Sequence, residues 1–216
     1  MDRYKRNQVM EAISRVNEPV ANGPTVALQT KLKRLLERDR GLGRSLRSSD
    51  PERRAYAFFS TAPPGSGVEI WYSAYETFAL HTALRLLGHG WAPTAAVSIL
   101  RRARSKLEVK HAEILRWDAD KLFDSDKVRK SAKSGMFGRA TTRPVFLSIA
   151  SHQGRPKDVH PDETREVEIL EEGEVMPFLL RKAGLSVTNF ELVAAAHNLN
   201  RALLNTTPTS RGKGSG

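Results

Sequence analysis

The chain has 216 residues and a net charge of +11, from 35 lysines and arginines against 24 aspartates and glutamates. With 39% apolar and 27% charged residues it has the composition of a globular protein, which excludes a chain too polar to build a core. Cysteine is absent, which excludes disulfides and thiolate metal sites, and no run of about 18 apolar residues exists to form a membrane-spanning helix.

The opening MDRYKRNQVMEA has basic residues with no apolar segment behind them, so no secretory signal and a cytoplasmic location are expected. Residues 4–16 predict a short helix with Val9, Ile13 and Val16 as its apolar face. A turn cluster, NEPVANGP, follows at 17–24. Residues 25–40 predict a second helix. Leu28, Leu32, Leu35 and Leu36 fall on one side of it, Lys31, Arg34 and Arg38 form a stripe away from them, and Gly41 and Gly43 end it. RRAYAFFS (53–60) and GVEIWYS (67–73) flank a Pro/Gly-rich connection and predict a β-hairpin.

Ser73 and Glu76 have the spacing of a capping box, so a helix opens there and runs to about Leu87. Pro93 stands at a first helical position, and the next helix spans about 94–117. Residues 118–143 form a polar, basic connector, read as the domain boundary. Beyond it, 144–151 and 166–173 predict strands, and VMPFLLRKAG (175–184) a strand or a short helix. Thr188 and Glu191 have capping-box spacing ahead of a helix with Leu192, Ala196, Leu199 and Leu203 as its stripe. The tail 205–216 is rich in Thr, Ser and Gly and is expected to be disordered. The expected fold class is α+β. A mostly helical N-terminal domain (1–117) contains a long following helix, and a small α+β domain occupies 144–204.

The positive charge is uneven: +6 over 1–57 and +7 over 101–145, with the rest nearly neutral. A basic front suggests a polyanion-binding half; excess charge that merely maintains solubility is the alternative. A basic helix followed by a hairpin suits a duplex, because the major groove admits one helix while a hairpin beside it can grip flanking phosphates. The candidate DNA-binding residues are Lys31, Arg34 and Arg38 on the helix and Arg53 and Arg54 at the base of the hairpin. Lys5 and Arg6 are candidates as a basic arm. For each, a solvated charged surface is the alternative.

The segment GSGVEIWYSAYETFALHTALRLLGHGWAPTAAVSILRR (65–102) resembles the wing and following helices of MerR-type transcription regulators. The resemblance rests on Tyr72-Ser73, Leu86-Leu87, Gly90-Trp91 and the helix from Pro93. Upstream, the run from Arg34 to Leu42 is similar to that family's Arg-Tyr-Tyr-Glu-Arg-x-Gly-Leu, with one extra residue and with Leu35-Leu36 in place of the tyrosines. The resemblance implies a winged helix-turn-helix that binds double-stranded DNA as a homodimer, with an effector or partner domain attached. The dimerising helix would be 94–117, where Leu100, Ala103, Leu107 and Ile114 continue a 4-3 beat interrupted by Lys110. Packing of that stripe inside its own chain is the alternative.

Other chemistry-bearing residues carry less. His152, Asp158, His160, Asp162 and Glu163 are metal-ligand types without ligand spacing, in a stretch of turn formers. Asp118, Asp120, Asp124 and Asp126 lack the Gly and the terminal Glu of a calcium loop. Lys127, Arg129, Lys130, Lys133, Arg139 and Arg143 could track a nucleic-acid backbone, but a solvated linker is the simpler reading. Trp71, Trp91 and Trp117 are expected in the core rather than on a base-stacking surface. No cofactor, no metal and no catalytic arrangement is expected. The expected function is a DNA-binding transcription regulator. The alternative is a protein-interaction adaptor built on the same winged fold; an RNA binder or a small enzyme rank behind both.

Overall fold

The computed structural model describes residues 3–18, 23–63, 68–131, 140–151 and 166–208. The chain divides into two compact units, Met1–Arg101 with Asn198–Gly216, and Arg102–His197. The division falls inside a helix rather than after residue 117, and the C-terminal end returns to the first unit.

The first unit begins with strand β1 (Tyr4–Lys5), which leads directly into helix α1 (Arg6–Asn17). Val9 and Ile13 of the expected apolar face of α1 are buried together with Ala12, whereas Val16 is half-buried. Helix α2 (Val26–Leu42) is capped by Thr25, whose hydroxyl accepts the Leu28 N–H at 3.2 Å. It buries Leu28, Leu32 and Leu35. The helix runs through Gly41 and ends at Gly43, whose φ of 60° lies in the left-handed region where a side chain is costly.

Residues 51–60 do not form the expected hairpin strand. Asp50 caps a single-turn helix α3 (Pro51–Arg54), and irregular backbone follows with Tyr56, Ala57, Phe58 and Phe59 buried. The aromatic run that reads as a strand is core-facing, but its backbone donors are taken elsewhere. The Ala57 and Phe58 N–H groups both donate to the carboxylate of Asp39, at 3.0 Å each. Strand β2 (Trp71–Tyr72) pairs antiparallel with β1 instead, Tyr4 opposite Tyr72 and Lys5 opposite Trp71. The 54–72 wing is therefore replaced by a two-stranded ribbon that joins the start of the chain to the entry of the next helix.

That helix, α4 (Ala74–Gly88), opens on the predicted capping box. The Ser73 hydroxyl accepts the Glu76 N–H at 3.1 Å, and the Glu76 carboxylate accepts the Ser73 N–H at 2.7 Å. Nearly all of its length is buried, which marks it as the central helix of this unit. A turn with Gly90 at φ 86° leads to helix α5 (Pro93–Ile114). Near the C-terminus the described residues 205–208 are ordered against α1. Gln8 donates to the Thr206 carbonyl at 3.3 Å, and Arg15 donates to the Asn205 carbonyl at 3.1 Å. The disorder expected from residue 205 is not borne out at 205–208, and 209–216 lie outside the described residues.

The second unit begins with the C-terminal part of α5. The expected linker contains two short helices, α6 (Ala119–Leu122) and α7 (Ser125–Ser131), capped by Asp118 and Asp124. Thr142 donates its N–H to the Leu122 carbonyl at 2.9 Å, which ties α6 to the strand that follows. A three-stranded antiparallel sheet has β3 (Val145–Ser151) in the centre, with β4 (Glu166–Glu171) on one edge and β5 (Ser186–Glu191) on the other.

Between β4 and β5 lies helix α8 (Glu172–Arg181), which settles the strand-or-helix alternative for 175–184. The segment with the second capping-box spacing is strand β5. Thr188 pairs opposite Ile149 of β3, because an open sheet edge supplies more backbone hydrogen bonds than one cap. Glu191 takes over the capping role for helix α9 (Val193–Leu204), its carboxylate accepting the N–H groups of Val193 and Ala194 at 2.7 and 3.0 Å. The predicted stripe of Leu192, Ala196, Leu199 and Leu203 is buried. Among the described residues no helix is long and apolar enough to cross a membrane.

Candidate nucleic-acid interface

The candidate interface lies in the first unit and is organised by one buried ion pair. Asp39, on α2, and Arg101, on α5, are both almost completely withdrawn from solvent, and Arg101 Nε meets Asp39 Oδ1 at 2.6 Å. Arg101 also donates to the backbone carbonyls of Asp39, Gly43 and Glu52, at 2.6, 2.9 and 3.2 Å. With the two loop N–H groups on Asp39, this node holds the end of α2, the turn after it, α3 and the 57–58 backbone around one point. A buried charge is tolerated only when its lone pairs and protons are satisfied in this way. Tyr56 lies against the same guanidinium, with the ring centroid 5.4 Å from Arg101 Cζ.

The node decides the charge of the α2 surface. Turned inward, Asp39 leaves Glu37 as the one remaining acid of that helix. Glu37 pairs with Lys33 at 3.8 Å, about 100° around the axis from Arg38. Lys31, Arg34 and Arg38 fall within about 60° of one another at 100° per residue. All three are exposed, and none pairs with an acid among the described residues. Their stripe runs beside the buried leucines rather than opposite them. Arg40, in the last turn of the helix, is exposed as well.

The ribbon adds to this surface in part. Tyr72 is buried and its hydroxyl lacks a hydrogen-bond partner among the described residues; burial pushes its pKa up to about 12, against the opposing fields of Arg6 and Arg40. Both cations therefore stand near the same strand, one from α1 and one from α2. Lys5 departs from the expected role. Its ammonium pairs with Glu69 at 3.1 Å and rests over the Trp71 ring at 5.2 Å, so its charge is spent inside the ribbon. Arg53 is exposed with Asp50 3.8 Å away, and Arg54 is exposed with no acid partner among the described residues. The structure thus keeps Lys31, Arg34, Arg38, Arg54 and Arg6 outward and unpaired, holds Arg53 loosely, and removes Lys5. A cleft beside the ribbon, lined in part by Arg3, Glu69, Trp71 and Glu76, offers no uncommitted acid. Glu76 accepts from Ser60 and Ser73, and Glu69 holds Lys5.

The expected dimer stripe is corrected. Leu100, Ala103, Leu107 and Ile114 are at most 3% exposed within a single chain, so the 4-3 beat along α5 is satisfied by the chain's own core. The tryptophans are corrected too. Trp71 is exposed, and Trp91 and Trp117 are half-buried, the last beneath Arg143 at 4.1 Å.

The second basic segment differs from α2. Lys106 pairs with Glu168 at 3.0 Å, Lys110 with Glu113 at 2.7 Å, and Arg143 with Glu171 at 3.3 Å. Lys121, Lys127 and Arg129 pair with Asp118, Asp124 and Asp126. All three aspartates are ion-pair partners, and Asp118 and Asp124 are also helix caps. His152, Asp158, His160, Asp162 and Glu163, with Lys133 and Arg139, lie outside the described residues. Among the described residues no three metal-ligand side chains converge.

Arg101 is the residue that sequence reasoning missed. Its signal is the spacing Val97, Arg101, Arg104, an i, i+4, i+7 line in which arginines continue a buried helix face; all three are buried. Comparison with protein-family models, with curated proteins and with solved structures finds no match for this chain.

Proposed function

We propose that the protein binds double-stranded DNA and acts as a transcription regulator of winged-helix type, with α2 as the helix that enters the major groove. The single observation that carries the reading is the separation of charge on α2. Asp39 is drawn inside by Arg101, while Lys31, Arg34 and Arg38 stay exposed and without an acid partner among the described residues. A helix with one cationic stripe and its acids removed or turned aside is suited to a polyanion. In this reading the β1–β2 ribbon serves as the wing, and the exposed Arg6, Arg40 and Arg54 are further candidates for phosphate contact. The reading assigns no chemical step to the protein.

The adaptor reading uses the same helix to dock another protein. It is disfavoured by the lack of an apolar anchor within the cationic stripe: the exposed large apolar side chains of α2 stand at its two ends, Val26 and Leu42. Selection from a random duplex library separates the two. Enrichment of duplexes that is lost in the Arg34→Ala, Arg38→Ala variant supports DNA binding. Equal retention of duplexes by both forms, or none by either, contradicts it.

A further inference from the structure

The geometry points to helix α8 as a contact surface for a second copy of this chain. The inner face of α8 is occupied: Phe178 is fully buried with Ala150 and Leu170, and Val175 packs against the same cluster. The opposite face carries Gly173, Met176, Pro177 and Leu180, all exposed, with Met176 at 62% and Leu180 at 72%. At 100° per residue these four lie within an arc of about 100°, an apolar line that no described residue covers.

What covers that line is indicated by the charges beside it. Glu174 and Arg181 stand on one flank, seven residues apart and so on the same side of the helix. Both are exposed. Glu174 Oε2 accepts the Glu171 N–H at 2.8 Å, and its other oxygen has no partner among the described residues. The Arg181 guanidinium lies 5.9 Å from the Phe178 ring centroid and pairs with no acid among the described residues. The midpoint of Glu174 and Arg181 falls between Pro177 and Phe178. The midpoint of Met176 and Leu180 falls at Phe178.

Apolar line and charged flank therefore share one centre. A two-fold axis through it would lay α8 antiparallel on its copy, because a two-fold interface sets each patch against itself. Antiparallel packing also sets each flank against the same flank of the other helix. Glu174 of each copy then meets Arg181 of the other, with Met176 and Leu180 interleaved between them. A foreign partner would need neither the opposite signs nor the shared midpoint; self-association needs both. The patch is one short helix, so the association is concentration-dependent rather than permanent. This inference does not depend on DNA binding.

Sedimentation of the full chain over a range of concentrations tests it, with circular dichroism confirming that each variant folds. The expected result is a monomer–dimer equilibrium in the wild type and a dissociation constant about tenfold or more higher for Leu180→Lys. Glu174→Arg alone and Arg181→Glu alone set like charges together and weaken the dimer. An equal mixture of these two variants restores both pairs and recovers it. The chain has no cysteine, so a single Pro177→Cys near the axis reports proximity directly, by forming a covalent dimer on mild oxidation. A wild type that stays monomeric, a dimer indifferent to Leu180→Lys, or a mixture no tighter than its separate components would overturn the inference.

Discussion

Asp39 and Arg101 set the character of the candidate surface although neither can touch a ligand. Their pair is buried, so the consequence of removing one partner is an uncompensated charge in the interior. Arg101→Met is expected to destabilise the fold by about 3–5 kcal/mol, measured by urea denaturation. A loss below about 1 kcal/mol would show that the node is not what holds α2, α3 and the 57–58 backbone together.

Two histidines make a second prediction at this scale. Burial, with Arg85 adding to it, lowers the pKa of His81 to about 4. Burial, with His197 adding to it, does the same for His111. Their folded pKa values lie below the ordinary value near 6.5, so between these limits the unfolded chain binds protons that the fold does not. Stability is therefore greatest above about pH 6.5 and falls as pH drops toward 4, by up to roughly 3 kcal/mol for each histidine. His81→Gln, which keeps a hydrogen-bonding group near Asn17, is expected to flatten part of that slope. An unchanged slope in denaturation between pH 4 and 6.5 would exclude His81 as a source.

Elements differ in how far the sequence announces them, and the difference follows where backbone hydrogen bonds go. Helices α1, α2, α4, α5 and α9 are legible from their apolar spacing, and in α4 the expected cap agrees with it. The Ser73–Glu76 capping box forms as spaced, and Ser73→Ala is expected to cost about 1 kcal/mol in the same denaturation experiment. Thr188 and Glu191 have equal spacing and form no such box, because β3 offers that stretch a sheet edge. Residues 53–60 carry a strand-like aromatic run, yet the Ala57 and Phe58 N–H groups go to a side chain 18 and 19 residues away. A carboxylate that replaces a strand partner leaves no periodic trace. The stripe on α5 was legible as apolar spacing, but spacing alone does not tell a partner helix from the chain's own core. At the candidate site Lys31, Arg34 and Arg38 were readable from helical spacing, while the diversion of Lys5 to Glu69 depends on a β1–β2 pairing between distant segments.

For the molecule as a whole, two basic segments of similar net charge meet different fates. Most of the described cations between 104 and 143 are matched to acids within the second unit, whereas Lys31, Arg34, Arg38 and Arg40 of α2 are not. Net charge alone would assign both to a polyanion; pairing singles out α2. The most direct measurement is the slope of log binding constant against log salt concentration for a duplex, taken for the wild type and for Arg34→Ala, Arg38→Ala. If α2 contacts phosphates through Lys31, Arg34 and Arg38, the three contacts alone weaken binding roughly 40-fold between 50 and 200 mM salt, and the double variant reduces the slope by about 2. Binding that ignores salt, or a slope that the double variant leaves unchanged, would contradict the account.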